Sequence, residues 1–370
     1  MDLHAREADR RVRMEDDAGS LAAAVPAAHR AGQVEEAARR LRPLLTLAET
    51  PASIRSLAAE LPLAALAVMD HAASRLELWL ACPSGAGLAR RFEVPSVPRV
   101  GEPDLALGLV PTVERGRLRM LSLADGGATV VGLPQRTRAA ASRIQGDEVL
   151  VGGRTSEGRN HFQWWLTARP VADLERVTEL PVPTHLQRLT VCALAGEGDR
   201  LLALGRRGPS YGLAEYRRRD GSWRLVEAAL VPELSSFDRD DRFVLDSGRA
   251  ALGGDAVRVW GRAARDASPA GAREARSLAS GGLIDLDLRD SRLTLLYELS
   301  RLGGLQVVEL DERRGVGEPR EIPHGLEEVG RALGVRWIQP GRSLLLVTRN
   351  PGEGTRGHVL RVDVGGGGER

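Results

Sequence analysis

Gly208-Pro209-Ser210-Tyr211-Gly212 has the spacing G-x-S-x-G, in which a serine on a strand-to-helix turn attacks a substrate held in an oxyanion hole. The flanks, LLALGRR before and GLAEYRRR after, read as strand–turn–strand, so a hairpin loop accounts for the motif better. His324 and His358 lie downstream, but nothing supplies the rest of a hydrolase domain. Gly352-Glu353-Gly354-Thr355-Arg356-Gly357 has the dinucleotide spacing G-x-G-x-x-G, which works where it opens a helix whose amides meet a pyrophosphate. HVLRVDV, which follows it, alternates as a strand, and a loop is expected there. Asp238, Asp240 and Asp241 begin like a calcium loop, but Arg242, Phe243 and Arg249 fill the places that need an oxygen ligand, a glycine and a glutamate. The histidines (His4, His29, His71, His161, His185, His324 and His358) form no HxH or HExxH spacing. Cys82 and Cys192 alone make neither a disulfide framework nor a structural zinc site. No catalytic residue, metal ligand or cofactor-binding residue is assigned, and no cofactor is expected.

Two sets of charged residues hold up better. Asp285 and Asp287, two apart in LIDLDL, project to one side of a strand. There they would line a central channel and catch a cation or an arginine, or simply form a solvated channel wall. The second set is cationic. The segments GRTSEGRNH, GRRGPSYG and TRNPGEGTRG carry Arg154, Arg159, Arg206, Arg207, Arg349 and Arg356 against only Glu157 and Glu353, with Arg301 as a further candidate. If these segments are loops on one face, they form a positive patch suited to an acidic protein surface or to phosphate. Every basic residue of the chain is arginine, for the sequence holds no lysine. Bidentate recognition of anions would use that choice, while codon bias in a GC-rich genome explains it without function.

The elements that must place these residues follow from periodicity. Residues 1–19 are densely charged with few apolar anchors, and a mobile tail is expected. Residues 20–61 read as a helical extension. Val34, Ala37, Ala38, Leu41 and Leu45 fall at helical spacing, and Thr50-Pro51 reads as the cap of a second helix through SIRSLAAEL. From residue 62 to 370 the pattern changes to short apolar runs between Gly, Pro, Asp and Arg turns.

A phrase recurs in that region: a tight turn, then an apolar strand. Its first apolar residues are Leu76, Leu118, Val149, Leu201, Ala250, Leu293 and Leu344, about 45 residues apart on average, the spacing of a four-stranded propeller blade. Around DSRLTLLY stand GLIDLDL before and GLQVVELD and PREIP after, four strands in one up-and-down unit. Such units bury their faces only by stacking around an axis. The expectation is an all-β fold, a β-propeller of seven blades with six or eight as alternatives. The last unit lacks a fourth strand, and a stretch within residues 40–66 is expected to complete it and cover two open edges. Adjacent Trp164 and Trp165 would point to opposite faces of a strand and pack against two neighbouring blades rather than stack on a ligand.

On repeat length and strand pattern, residues 62–366 resemble a bacterial seven-bladed β-propeller of WD40- or kelch-like architecture, without the Gly-His…Trp-Asp signature or a recurring kelch double glycine. More weakly, the chain resembles the bpX propellers of ternary bacterial systems. That resemblance implies a MoxR-type AAA+ ATPase or a von Willebrand A protein as partner, and no catalytic motif.

Composition bounds the role. The formal net charge is +2, with 52 basic against 50 acidic residues, so no global pull draws the chain to nucleic acid or an anionic membrane. No apolar run approaches the roughly 20 residues of a membrane span, and the charged start does not read as a signal peptide. A soluble, cytoplasmic protein with no membrane partner is expected. The leading reading is a non-enzymatic scaffold or adaptor that binds another protein, with the helical extension as a second contact surface. One alternative is a propeller enzyme, or a module holding a small ligand or glycan in its channel. The other is nucleic-acid binding through the arginine-rich loops, against which the 4% aromatic content stands.

Overall fold

The computed structural model describes residues 43–47, 53–60, 63–70, 75–82, 87–94, 99–114, 116–156, 162–231, 243–246, 249–252, 257–260, 273–275, 283–297, 304–311, 315–316, 320–321, 331–340, 342–349 and 357–364. The described residues form antiparallel strands joined by turns, grouped in seven sheets. Blade one runs through Ser53–Glu60, Leu63–Asp70, Arg75–Cys82 and Gly87–Val94. Blade two follows with Arg99–Val100, Leu109–Glu114, Arg117–Ser122 and Ala128–Gly132. Thr137–Gln145, Glu148–Ser156, Phe162–Pro170 and Thr178–Glu179 make blade three; Thr190–Glu197, Arg200–Arg207, Ser210–Arg219 and Ser222–Leu230 make blade four. Blade five is short-stranded, with Phe243–Asp246, Arg249–Leu252, Val257–Trp260 and Arg273–Ala275. Blade six holds Leu283–Arg289, Arg292–Tyr297 and Gly304–Asp311, and both Gly315–Val316 and Arg320–Glu321 pair with the last of these. Blade seven holds Arg331–Gln339, Ser343–Arg349 and Gly357–Asp363.

The fourth strand of blade seven is Pro43–Leu47, from the other end of the chain, paired to Gly357–Asp363 with Thr46 opposite His358. This lies within the 40–66 window set by the missing strand. The first strands of successive blades contact one another from blade two through blade seven and on to blade one. Blades one and two meet across a shared cavity at the hub. The molecule is an all-β propeller: each blade is too thin to bury both faces, and its neighbours cover them.

Two expectations for the extension are corrected. Ser53–Glu60, within the stretch read as a helix, is the innermost strand of blade one, with Leu57, Ala58 and Ala59 buried. Pro43–Leu47, at the end of the first expected helix, is also a strand. Ala, Leu and Glu favour a helix locally, but an unpaired edge of a blade recruits a strand, and tertiary pairing outweighs propensities of a few tenths of a kcal/mol per residue. The remainder of the expected tail and helix, residues 1–42, lies outside the described residues. No helix among the described residues is long and apolar enough to cross a membrane.

The recurring phrase also proves to mark two different strands. Leu76 and Leu118 lie on third strands, whereas Val149 and the later ones lie on second strands. This shift shortens the step from Leu118 to Val149, although blade two is complete in four strands between Arg99 and Gly132.

Packing between blades three and four shows why the strands read as they do. Trp164 and Trp165, 1% and 5% exposed, enter separate cores on the two faces of blade three. Trp164 lies with Val191, Leu201, Ala203 and Tyr216 of blade four. The backbone of Gly205 comes so close to the Trp164 ring that any Cβ there would collide with it. Burial pushes the Tyr216 phenol well above its ordinary range, and its hydroxyl donates to the Pro181 carbonyl at 2.9 Å.

Cys192, on the first strand of blade four, donates its thiol to the Leu204 carbonyl at 3.4 Å. Burial pushes this thiol up to about 12, so near neutral pH it is almost wholly protonated and unreactive. In a Cys82→Ser variant, a thiol reagent at about pH 8 is therefore expected to label Cys192 only as fast as the fold opens. Labelling as fast as that of a free thiol would contradict this placement.

Candidate functional site

In an up-and-down blade, the turns joining second to third strands and the links from one blade to the next open on the same side of the ring. The remaining turns open on the other. On the first side stand Arg154 at the end of the second strand of blade three, and Arg206 and Arg207 in the corresponding place of blade four. Their strands end there for local reasons: Gly208, at φ 57°, and Pro209 form a two-residue hairpin to Ser210. GRRGPSYG is thus a tight hairpin, and Ser210 stands exposed at the start of a strand, with no helix after it to carry a nucleophile elbow. Arg349 ends the second strand of blade seven, opposite Arg331 and Gly357 in register, which puts its backbone on the same side. Arg159, Arg301, Arg356 and the Gly352–Arg356 part of the glycine motif lie outside the described residues, as do Asp238, Asp240 and Asp241.

The structure adds arginines that the loop count missed. Arg136 comes from the link between blades two and three, Arg138 from the start of the first strand of blade three, and Arg188 from the link between blades three and four; all three are exposed. The signal for them was available: links between blades emerge beside the second-to-third turns, so their charges belong to the same face. Among the described residues of blades three and four, no acidic residue stands at this end.

Two guanidinium groups on this face are held by aromatic rings. Arg154 lies over Phe162 with 3.8 Å from its Cζ to the ring centroid. Arg206 lies over Tyr211 at 5.4 Å, and its Nε–H donates to the Gly208 carbonyl at 3.1 Å. Stacking fixes the plane of the fork and leaves its edge for an anion. Arg138 and Arg154 face each other directly in register. Burial, and after it the Arg138 charge, hold the Arg154 guanidinium below its ordinary value, though an arginine remains charged. Like charges directly opposite across strands destabilise a sheet, so the pair holds repulsion that a bound anion would relieve.

On the other side of the ring, the charges of blade three are matched within the fold. Arg218 reaches Asp147 at 3.0 Å and Glu148 at 3.6 Å, and the Arg218 hydrogen bond holds the Asp147 carboxyl below its ordinary value. The Trp223 indole donates to Glu148 at 2.8 Å, and Arg143 pairs with Glu102 at 2.9 Å.

Asp285 and Asp287 lie on the first strand of blade six, 8% and 2% exposed, and act between blades rather than as a wetted wall. Asp285 accepts from Arg336 Nη1 at 2.6 Å and from the Val335 amide at 3.0 Å. Asp287 accepts from the Trp337 amide at 2.8 Å. Arg336 also donates its Nε–H to the Leu57 carbonyl at 2.7 Å, so one buried side chain ties blades six, seven and one together at the hub. Asp285 holds an arginine of the chain itself, and Asp287 a backbone amide of the next blade.

Among the described residues, no group of three or more His, Cys, Asp and Glu side chains is placed to hold a metal ion. His185 is exposed on the link between blades three and four, and His358 lies in the strand that pairs with Pro43–Leu47.

No protein-family model matches the chain, and no curated protein sequence matches it. Solved structures do. The β-propeller domain of Cps50 (Swd1) from Myceliophteria thermophila is 13% identical, with a TM-score of 0.53 over 85% of this chain and 98% of that one. A puromycin hydrolase mutant complexed with PGG is 16% identical, with a TM-score of 0.55 over 88% of this chain and 52% of that one. An acylaminoacyl peptidase from Pyrococcus horikoshii is 10% identical, with a TM-score of 0.51 over 85% of this chain and 52% of that one. The chain spans about half the length of the two enzymes it matches. At such identities the likeness shows the fold alone.

Proposed function

We propose that the chain is a non-enzymatic β-propeller adaptor that docks an acidic surface of another protein on its arginine face. The observation that carries this reading is the Arg138–Arg154 pair: two guanidinium groups opposed in register, one stacked on Phe162, with no described carboxylate at that end of blades three and four. Blade three pairs its charges on one side and sets like charges opposed on the other, an arrangement suited to an anion from outside. The partner class follows from the resemblance to bpX propellers, a MoxR-type AAA+ ATPase or a von Willebrand A protein, in a cytoplasmic bacterial assembly. Phosphate groups on such a partner would meet the same donors.

Recovery of the tagged chain from its native host tests this. Charge reversal in Arg138→Glu, and in Arg206→Glu with Arg207→Glu, is expected to cut the co-purifying protein about tenfold or more. Arg138→Glu is the sharper variant, because it places an acid opposite Arg154 and should leave the melting temperature unchanged or raise it. Undiminished recovery in both variants would sink the reading. Loss of the bound material on nuclease treatment would move the function to nucleic acid.

A further inference from the structure

The side of the ring away from the arginine face holds a cavity of about 260 Å³ at the mouth of the hub. Residues from four blades line it, brought together from positions 58 to 289 of the chain. Ala58 and Ala59 of blade one give it room, and Leu105 and Ile144 give it apolar wall. Among the described residues, four charged side chains stand around them, and their partners separate them into two kinds.

Glu102 and Arg143 belong to the wall. Their ion pair spans 2.9 Å, and the second guanidinium nitrogen of Arg143 donates to the Gly196 carbonyl at 2.9 Å, which joins blades two, three and four. Asp104 and Arg289 are different. Asp104 accepts the Leu107 amide on Oδ1 at 2.8 Å, which shapes the turn and leaves its second oxygen. Arg289, half-buried at the end of the first strand of blade six, makes no ion pair with a described carboxylate. No ion pair joins Asp104 to Arg289. The cavity thus presents one unpaired charge of each sign beside an apolar wall.

We propose that this cavity binds a small zwitterion of amino-acid to dipeptide size, with its carboxylate on Arg289, its ammonium group on Asp104, and an aliphatic side chain against Leu105 and Ile144. A simple anion would meet Asp104 and Glu102, and a simple cation would meet Arg289, so only a ligand carrying both charges satisfies the site. At about 30 Å³ per water, the cavity holds the equivalent of roughly nine waters, enough for a dipeptide. The site is independent of the arginine face and of the reading built on it.

Isothermal titration calorimetry with L-alanyl-L-leucine tests the proposal, alongside the same dipeptide N-acetylated and C-amidated. Wild-type protein is expected to bind the free dipeptide saturably, with Kd at or below about 1 mM. Each capped form, and the Arg289→Gln variant, should bind about tenfold or more weakly, the loss of one charge-assisted contact. Ala106→Trp, on the half-buried loop at the rim, should abolish binding while the protein still melts cooperatively. Arg138→Glu should change nothing here, which separates this site from the docking face. No saturable binding by wild type, or equal affinity for the capped dipeptides, or undiminished affinity in Arg289→Gln, would overturn it.

Discussion

Trp164→Ala is expected to lower the unfolding free energy by about 3–5 kcal/mol, the range for truncating a fully buried large aromatic side chain. The indole fills the seam between blades three and four, 1% exposed, against Val191, Leu201, Ala203 and Tyr216. Its ring also rests on the bare backbone of Gly205, where nothing can move in to close the space. A cavity is therefore left rather than a collapsed seam, which puts the cost toward the upper end. Gly205→Ala should act on the same seam from the opposite direction, by overpacking, at about 1–3 kcal/mol. Urea unfolding followed by tryptophan-independent circular dichroism measures both. A loss under about 1 kcal/mol for Trp164→Ala would mean that the two blades do not pack through this ring.

Arg336→Met is the second large effect, expected at about 3–5 kcal/mol because it removes one member of a buried ion pair and leaves the Asp285 charge in the hub. Asp285 would keep the Leu286 and Val335 amides but lose the Arg336 guanidinium, and the Leu57 carbonyl would lose that donor. Three blades share this contact, so its loss should loosen the hub where the first and last blades meet. The charge logic predicts a rescue: Arg336→Met combined with Asp285→Leu should recover most of the stability, since a buried pair replaced by apolar groups is often neutral. A double variant as unstable as Arg336→Met alone would show that the guanidinium matters for something other than its pair with Asp285.

The blade pattern was legible in the sequence because a blade strand is short, alternates and is bounded by turns, and seven copies of one phrase expose the period. The missing fourth strand of the last unit was legible too, as a deficit that some other stretch had to fill. Ser53–Glu60 was not: SIRSLAAEL carries good helix formers, and only the unpaired edge of Leu63–Asp70 makes it a strand. The arginine face was half legible. Arg154, Arg206 and Arg207 stand out in their turns, whereas Arg136, Arg138 and Arg188 sit in links or at the start of a first strand, whose side of the ring depends on strand order. Asp285 and Asp287 were recognised as inward-facing, but their partners, Arg336 and the Trp337 amide, lie about fifty residues on, in the next blade, and no local pattern announces them.

The docking claim is tested most directly by titrating a fluorescent poly-glutamate peptide against the whole protein at several salt concentrations, with single-stranded DNA as the comparison. Binding of the peptide should weaken steeply as salt rises, and Arg138→Glu should weaken it about tenfold or more while leaving the fold at least as stable. Peptide binding that ignores both salt and Arg138→Glu, or tight binding of the DNA alone, would contradict a propeller that takes up an acidic protein on its arginine face.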